Sequence, residues 1–190
     1  MTTAAQLVQR GLVGTTLVDG NGVVISGYSS VVSLARTTDT TGYTANDVIG
    51  IGTGSGLTTA GAAALTFTNI GPAAGGEIII TTVKLEIDVT AIPSGMTSFR
   101  LYLYNVTPPS ALVDNNAWDL PSGDRASYLG YVDLGTVVDL GSTLYVETNG
   151  YNKQVTVASG GSLFGYLVTN GTYTPAASVV KVITLHATGL

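Results

Sequence analysis

The chain has 190 residues with 7 basic and 12 acidic side chains, one His and no Cys, for a net charge of −5. Without Cys there is no disulfide scaffold, thiolate zinc site or cysteine nucleophile, and basic residues this few and scattered make no phosphate-neutralising surface, so nucleic acid is excluded as a partner. Charged residues make up only 10% of the chain, against roughly 25% in an ordinary soluble domain. The 28 Thr, 22 Val and 10 Ile favour pleated strands over helices, and the apolar content suffices for a packed core. The start of the chain, through Gly14, lacks the basic region and unbroken apolar stretch of a secretory signal. The charge-free stretches 48–76 and 154–180 are cut by Gly, Thr and Asn, so no membrane span is expected.

In chain order, residues 1–42 read as an extended N-terminal arm. Short apolar pieces alternate with Gly11, Gly14, Gly20, Gly22 and Gly27, and Asp19-Gly20-Asn21-Gly22 is a tight-turn signal that folds part of the arm into a hairpin. An ordinary pair of edge strands is the alternative. Residues 43–190 read as the body. Tyr43 to Ile51 and Ala64 to Ile70 are candidate strands, separated by the glycine-rich connector Gly52-Thr53-Gly54-Ser55-Gly56, and residues 71–76 form a Gly/Pro loop. In Glu77 to Val89, alternation places Ile79, Thr81, Val83, Leu85, Ile87 and Val89 on one face and Thr82, Lys84, Glu86 and Asp88 on the other. Phe99 to Val106 sets Phe99, Leu101 and Leu103 against Arg100, Tyr102 and Tyr104, and the aromatic face is a candidate partner surface.

Residues 107–124, with Pro108-Pro109, Asp114-Asn115-Asn116 and Pro121-Ser122-Gly123-Asp124, read as a long loop of the kind that often carries function. Tyr128 to Leu134 resumes extended structure. Thr143 to Glu147 and Lys153 to Val157 read as a hairpin about Thr148-Asn149-Gly150-Tyr151-Asn152, and Leu163 to Val168 and Ser178 to Ala187 complete the strands. Short strands without intervening helices point to an all-β antiparallel β-sandwich, jelly-roll-like, with the N-terminal arm attached.

Chemistry-bearing patterns are sparse. His186 shares a strand face with Val180, Val182 and Thr184 and reads as structural or surface. Asp114, Asn115, Asn116, Asp119 and Asp124 form the richest oxygen cluster, but their spacing is not that of a calcium loop, and Asx-turn capping is preferred over calcium binding. Glu86 and Asp88, about 7 Å apart along a strand, match a glycosidase pair only loosely, and Lys84 beside them suggests a solvated charged face. No catalytic, cofactor-binding or metal-ligating residue is assigned. Tyr102, Tyr104 and Trp118 are the candidate binding residues.

The stretch Phe99 to Ser110 (FRLYLYNVTPPS), followed by Asp114 to Trp118 (DNNAW) and Asp124 to Gly130 (DRASYLG), resembles a family of tailed-bacteriophage virion proteins. Tyr43 to Gly50 and Tyr173-Thr174-Pro175 extend the resemblance across the body but not over the arm. It implies a capsid decoration, or cement, protein on the outer surface of the virion, assembled in the host cytoplasm. The partners it implies are the major capsid protein and other copies of itself, as a homotrimer, with no nucleic acid, membrane, cofactor or reaction. A phage tail or receptor-binding module that binds carbohydrate is the alternative. On the decoration reading, charge is missing where subunits meet, while Lys84, Glu86 and Asp88 face solvent, and deletion of residues 1–40 weakens capsid binding or oligomer formation more than it unfolds the body.

Overall fold

The computed structural model describes residues 17–18, 24–25, 27–36, 38–52 and 63–190. These residues form twelve strands: β1 (Leu17–Val18), β2 (Val24–Ile25), β3 (Gly27–Ala35), β4 (Val48–Ile49), β5 (Leu65–Phe67), β6 (Gly76–Ile87), β7 (Ser98–Tyr104), β8 (Tyr128–Thr136), β9 (Val138–Asp139), β10 (Leu144–Val157), β11 (Leu163–Thr169) and β12 (Val180–Gly189). Among the described residues there is no α-helix, as the abundance of β-branched side chains requires. Among the described residues no helix is long and apolar enough to cross a membrane.

Strands β3-β12-β6-β10-β9 form one sheet and β4-β11-β7-β8 the other, with β5 also pairing β11, and every pairing is antiparallel. Within the two sheets the first strand pairs with the last (β3 with β12), β4 and β5 pair with β11, β6 with β10, and β7 with β8. That nesting is the jelly-roll order of two Greek keys, so the fold is an antiparallel β-sandwich of jelly-roll type. Between the sheets, Ile78, Val83, Leu85, Ile183 and Leu185 meet Phe67, Phe99, Leu101, Leu103, Val132 and Leu167, all buried.

Within the segment expected as an arm, β3 is a full sheet strand, paired with β12 from Val180 opposite Ala35 to Thr188 opposite Gly27. β1 and β2 pair with each other, Leu17 opposite Ile25. The turn expected at residues 19–22 lies outside the described residues, as do residues 53–56 of the glycine-rich connector.

Three expectations are corrected. In β6 the buried residues are Ile78 and Ile80, not Ile79 and Thr81, followed by Val83, Leu85 and Ile87. Thr82 pairs with His186 and Ile80 with the next residue, Ala187, so Thr81 is an extra residue in β6. A bulge of this kind shifts the alternation by one position. The segment around Asn149-Gly150 is not a hairpin: β10 runs through it, Asn149 opposite Thr82 and Lys153 opposite Ile80. The positive φ of Gly150 (70°) and Asn152 (48°) serves a larger bulge, with Gly150, Tyr151 and Asn152 opposite Thr81, instead of a chain reversal. Between Tyr43 and Ile51 only β4 is a strand, because Asn46 at φ 75° closes a turn in which the Asp47 carboxylate accepts from the Thr44 amide at 2.6 Å.

Candidate functional site

The outer face of the second sheet carries Tyr102 and Tyr104 from β7, Tyr128 and Tyr131 from β8, and Tyr166 from β11. The loop 105–127 folds back over these rings and brings Leu112, Trp118 and Leu120 onto them as a second, smaller core. Trp118 stacks on Tyr102 with ring centroids 3.8 Å apart, and Tyr104 meets Tyr166 edge-on at 6.0 Å. The loop is ordered by its own hydrogen bonds. The Tyr166 hydroxyl donates to the Ser110 carbonyl and accepts from the Leu112 amide, both at 3.2 Å, and the Trp118 amide donates to the Asn46 carbonyl at 2.8 Å.

The three candidate binding residues are therefore brought together, with differing exposure. Tyr104 is fully buried and Tyr102 nearly so, while Trp118 is half-buried. Burial raises the Tyr104 hydroxyl well above the usual phenol range, and the Trp118 side chain partly counters it. The Tyr128 hydroxyl is pushed up to about 12, chiefly by burial and next by Tyr102. At the rim, Tyr131 is 46% exposed, with the Arg100 guanidinium 5.2 Å from its ring centroid and Asp133 3.5 Å from Arg100 Nε. Tyr131 was missed because the Gly130 bulge re-aims side chains along β8. What this face offers chemically is an aromatic and guanidinium rim, without an activated nucleophile.

A second cluster lies where the chain enters the sandwich. Asp114, expected as an Asx-turn or calcium residue, is buried and accepts from Arg36 Nη2 at 3.0 Å, the Tyr43 hydroxyl at 2.7 Å and the Gly50 amide at 2.6 Å. Arg36 also approaches Asp39 at 3.3 Å and lies 4.4 Å from the Tyr43 ring centroid. Burial, then the Asp114 carboxylate, drives the Tyr43 hydroxyl far above the ordinary phenol value. Lys181 of β12 is buried, its Nζ has no hydrogen-bond partner among the described residues, and its pKa is lowered to about 8, chiefly by burial and next by Arg36. Alternation gave a signal for it, because Lys181 shares the Ile183 and Leu185 face, opposite Val182 and His186.

The remaining candidates lie apart. Asp124 is buried and accepts from the Ser110 amide at 3.1 Å, so Asp114 and Asp124 each serve a separate loop contact. Among the described residues no three of His, Asp and Glu gather as a metal cluster. His186 is exposed on the outer face of the first sheet. On that face Lys84 and Glu86 pair at 3.0 Å, and Glu147 accepts from Tyr145 and Asn149, which holds its carboxyl below the usual range. Asp88 is exposed. Arg36, Asp47, Asp114, Asp124 and Lys181 are all interior, so a chain poor in charge withdraws several of its charges from the surface.

No protein-family model matches the chain, and no curated protein does. Among solved structures, the chain is similar to the pentamer of Israel acute paralysis virus at 10% identity and a TM-score of 0.26, covering 86% of this chain and 88% of that one. The full particle of Israeli acute paralysis virus heated to 63 degrees gives 11% identity and 0.27, and the native Kashmir bee virus virion at acidic pH gives 14% and 0.25, each over 86% of this chain and 71% of the other. A likeness this distant carries no functional argument.

Proposed function

We propose that the chain is a virion structural protein that decorates the outer surface of a tailed-phage head, binding the major capsid protein and its own copies, as a homotrimer, without catalysis. The observation that carries this reading is the withdrawal of charge from a surface already short of it: Arg36, Asp47, Asp114, Asp124 and Lys181 lie inside, and a surface this poor in charge suits lateral burial against subunits. The motifs at 99–110, 114–118 and 124–130 supply the phage assignment. They coincide with β7 and with the loop that Tyr102, Tyr104 and Trp118 hold down, which supports the loop surface as the part of the molecule that meets the shell under this proposal. The test is to add purified protein to shells that lack it and measure occupancy by electron cryomicroscopy and shell melting by calorimetry. Saturable occupancy in proportion to the major capsid protein, with a raised shell melting temperature, supports decoration; no binding refutes it.

The second reading, a carbohydrate-binding tail module, is favoured by the Tyr131, Arg100 and Trp118 rim, since exposed aromatic rings stack on sugars. A glycan array separates the two. Sugar-dependent binding that is lost in Tyr131→Ala would favour the tail module.

A further inference from the structure

A β-sandwich must manage the unpaired N–H and C=O groups of its edge strands. In the second sheet, the β8 edge is closed by the β10 bulge: the Asp133 amide donates to the Tyr151 hydroxyl at 2.5 Å and Thr148 Oγ1 donates to the Leu134 carbonyl at 3.1 Å. The β4 edge is closed by the loop, through the Val48 amide to the Asn116 carbonyl at 2.8 Å and the Asn115 amide to the Val48 carbonyl at 2.9 Å. In the first sheet, the β9 edge is two residues long. Among the described residues β3 is the exception: its one pairing partner there is β12, and β5 packs near it without pairing. β3 is nine residues long, pairs with β12 without a register break, and contains no charge and no Pro.

The strand is also self-complementary. On its outer face Gly27, Ser29, Val31, Ser33 and Ala35 are exposed, all small, with Val31 62% exposed at the centre. An antiparallel copy centred on Val31 sets Val31 against Val31, Ser29 against Ser33 and Gly27 against Ala35, pairs of small, uncharged residues. On the inner face the same register sets Tyr28 against Leu34 and Ser30 against Val32. Tyr28 and Val32 are only partly buried against the core now and would be covered further.

We propose that β3 is a self-association edge, which pairs with β3 of a second copy about a two-fold axis and joins two five-stranded sheets into one. This goes beyond the function proposed above. A three-fold axis cannot pair identical strands with each other, so the β3 contact links two trimers, or two single chains, whether or not the protein binds a shell.

Because the chain has no Cys, single cysteines report the contact directly in the full-length protein. Under mild oxidation, Val31→Cys forms a disulfide-linked pair, whereas Val138→Cys, exposed on the opposite edge, and Ser33→Cys alone do not; mixing Ser29→Cys with Ser33→Cys restores cross-linking. By sedimentation, Val31→Lys and Val31→Asp each halve the mass of the associated protein with an unchanged melting temperature, and an equimolar mixture recovers it. The proposal is overturned if Val31→Cys cross-links no faster than Val138→Cys, or if the mixture stays dissociated. It is equally overturned if Val31→Cys cross-links only after deletion of residues 1–16, which would show that the chain's own N-terminus fills the edge.

Discussion

Asp114 holds three donors at once, and that decides what its removal does. Asp114→Ala leaves the buried Arg36 guanidinium with Asp39 as its one remaining carboxylate neighbour and the Thr41 carbonyl as an acceptor, and strips the Tyr43 hydroxyl and Gly50 amide of their acceptor. Breaking one side of a buried ion pair costs about 3–5 kcal/mol, so urea unfolding at pH 7 is expected to show a loss of that order. Lys181 acts in the opposite direction. Its pKa in the fold, about 8, lies below the unfolded value of 10.5, so between those values the unfolded chain binds more protons and stability rises with pH. Tyr43, Tyr104 and Tyr173 are raised above 10 by burial, so above pH 10 the unfolded chain releases protons first and stability falls. Unfolding free energy measured across pH 7 to 11 is thus expected to peak near 10, with Asp114 and Arg36 the charged groups nearest Lys181. Lys181→Met is expected to abolish the rise, keep the fall and raise stability at pH 7. Little of this cluster was legible beforehand: Asp114 stood out as an oxygen ligand, but Arg36 and Tyr43, 78 and 71 residues distant in sequence, carry no local mark of pairing with it.

At the scale of elements, close approach of backbones sets the strictest requirements. A Cβ at Gly165 in β11 would lie 2.5 Å from the Tyr102 carbonyl oxygen of β7, which cannot retreat without breaking the sheet. Gly165→Ala is expected to cost about 1–3 kcal/mol by chemical unfolding, whereas Gly123→Ala, with open space around its Cβ and no positive φ, changes little. The loop 105–127 depends on the aromatic stack. Trp118→Ala removes the ring packed on Tyr102 at 3.8 Å, and limited proteolysis is expected to cut within the loop while the sandwich strands stay protected. Element positions were mostly legible, since β6, β7, β8, β11 and β12 fall where alternation places them. The bulges were not. An extra residue at Thr81 and the Asn149-Gly150 excursion depend on the partner strand's register, and Asn-Gly serves a bulge as readily as a turn. Likewise Tyr102 and Tyr104 alternate as an exposed face would, and only the loop's return path buries them.

For the whole molecule, β3 near the N-terminus and the last strand, β12, are partners, so the N-terminal segment divides into parts with different roles. Removing residues 1–16 leaves every strand among the described residues in place and is expected to keep the melting temperature, while on the proposed decoration function it weakens shell binding. Removing residues 1–36 takes away the β3 ladder with β12 and the Arg36 contacts, and is expected to lower the melting temperature by at least about 10 °C in differential scanning calorimetry. What the amino-acid sequence determined by itself is the class of fold: β-branched residues in alternating runs, broken by Gly and Pro, have few stable solutions other than a two-sheet sandwich, because each strand must bury one face. The tertiary structure alone decided which faces are buried and where the charge goes. Those outcomes depend on strand register, on bulges, and on contacts between residues far apart along the chain, such as Arg36 with Asp114 and Trp118 with Tyr102, and no local pattern records which distant neighbour arrives.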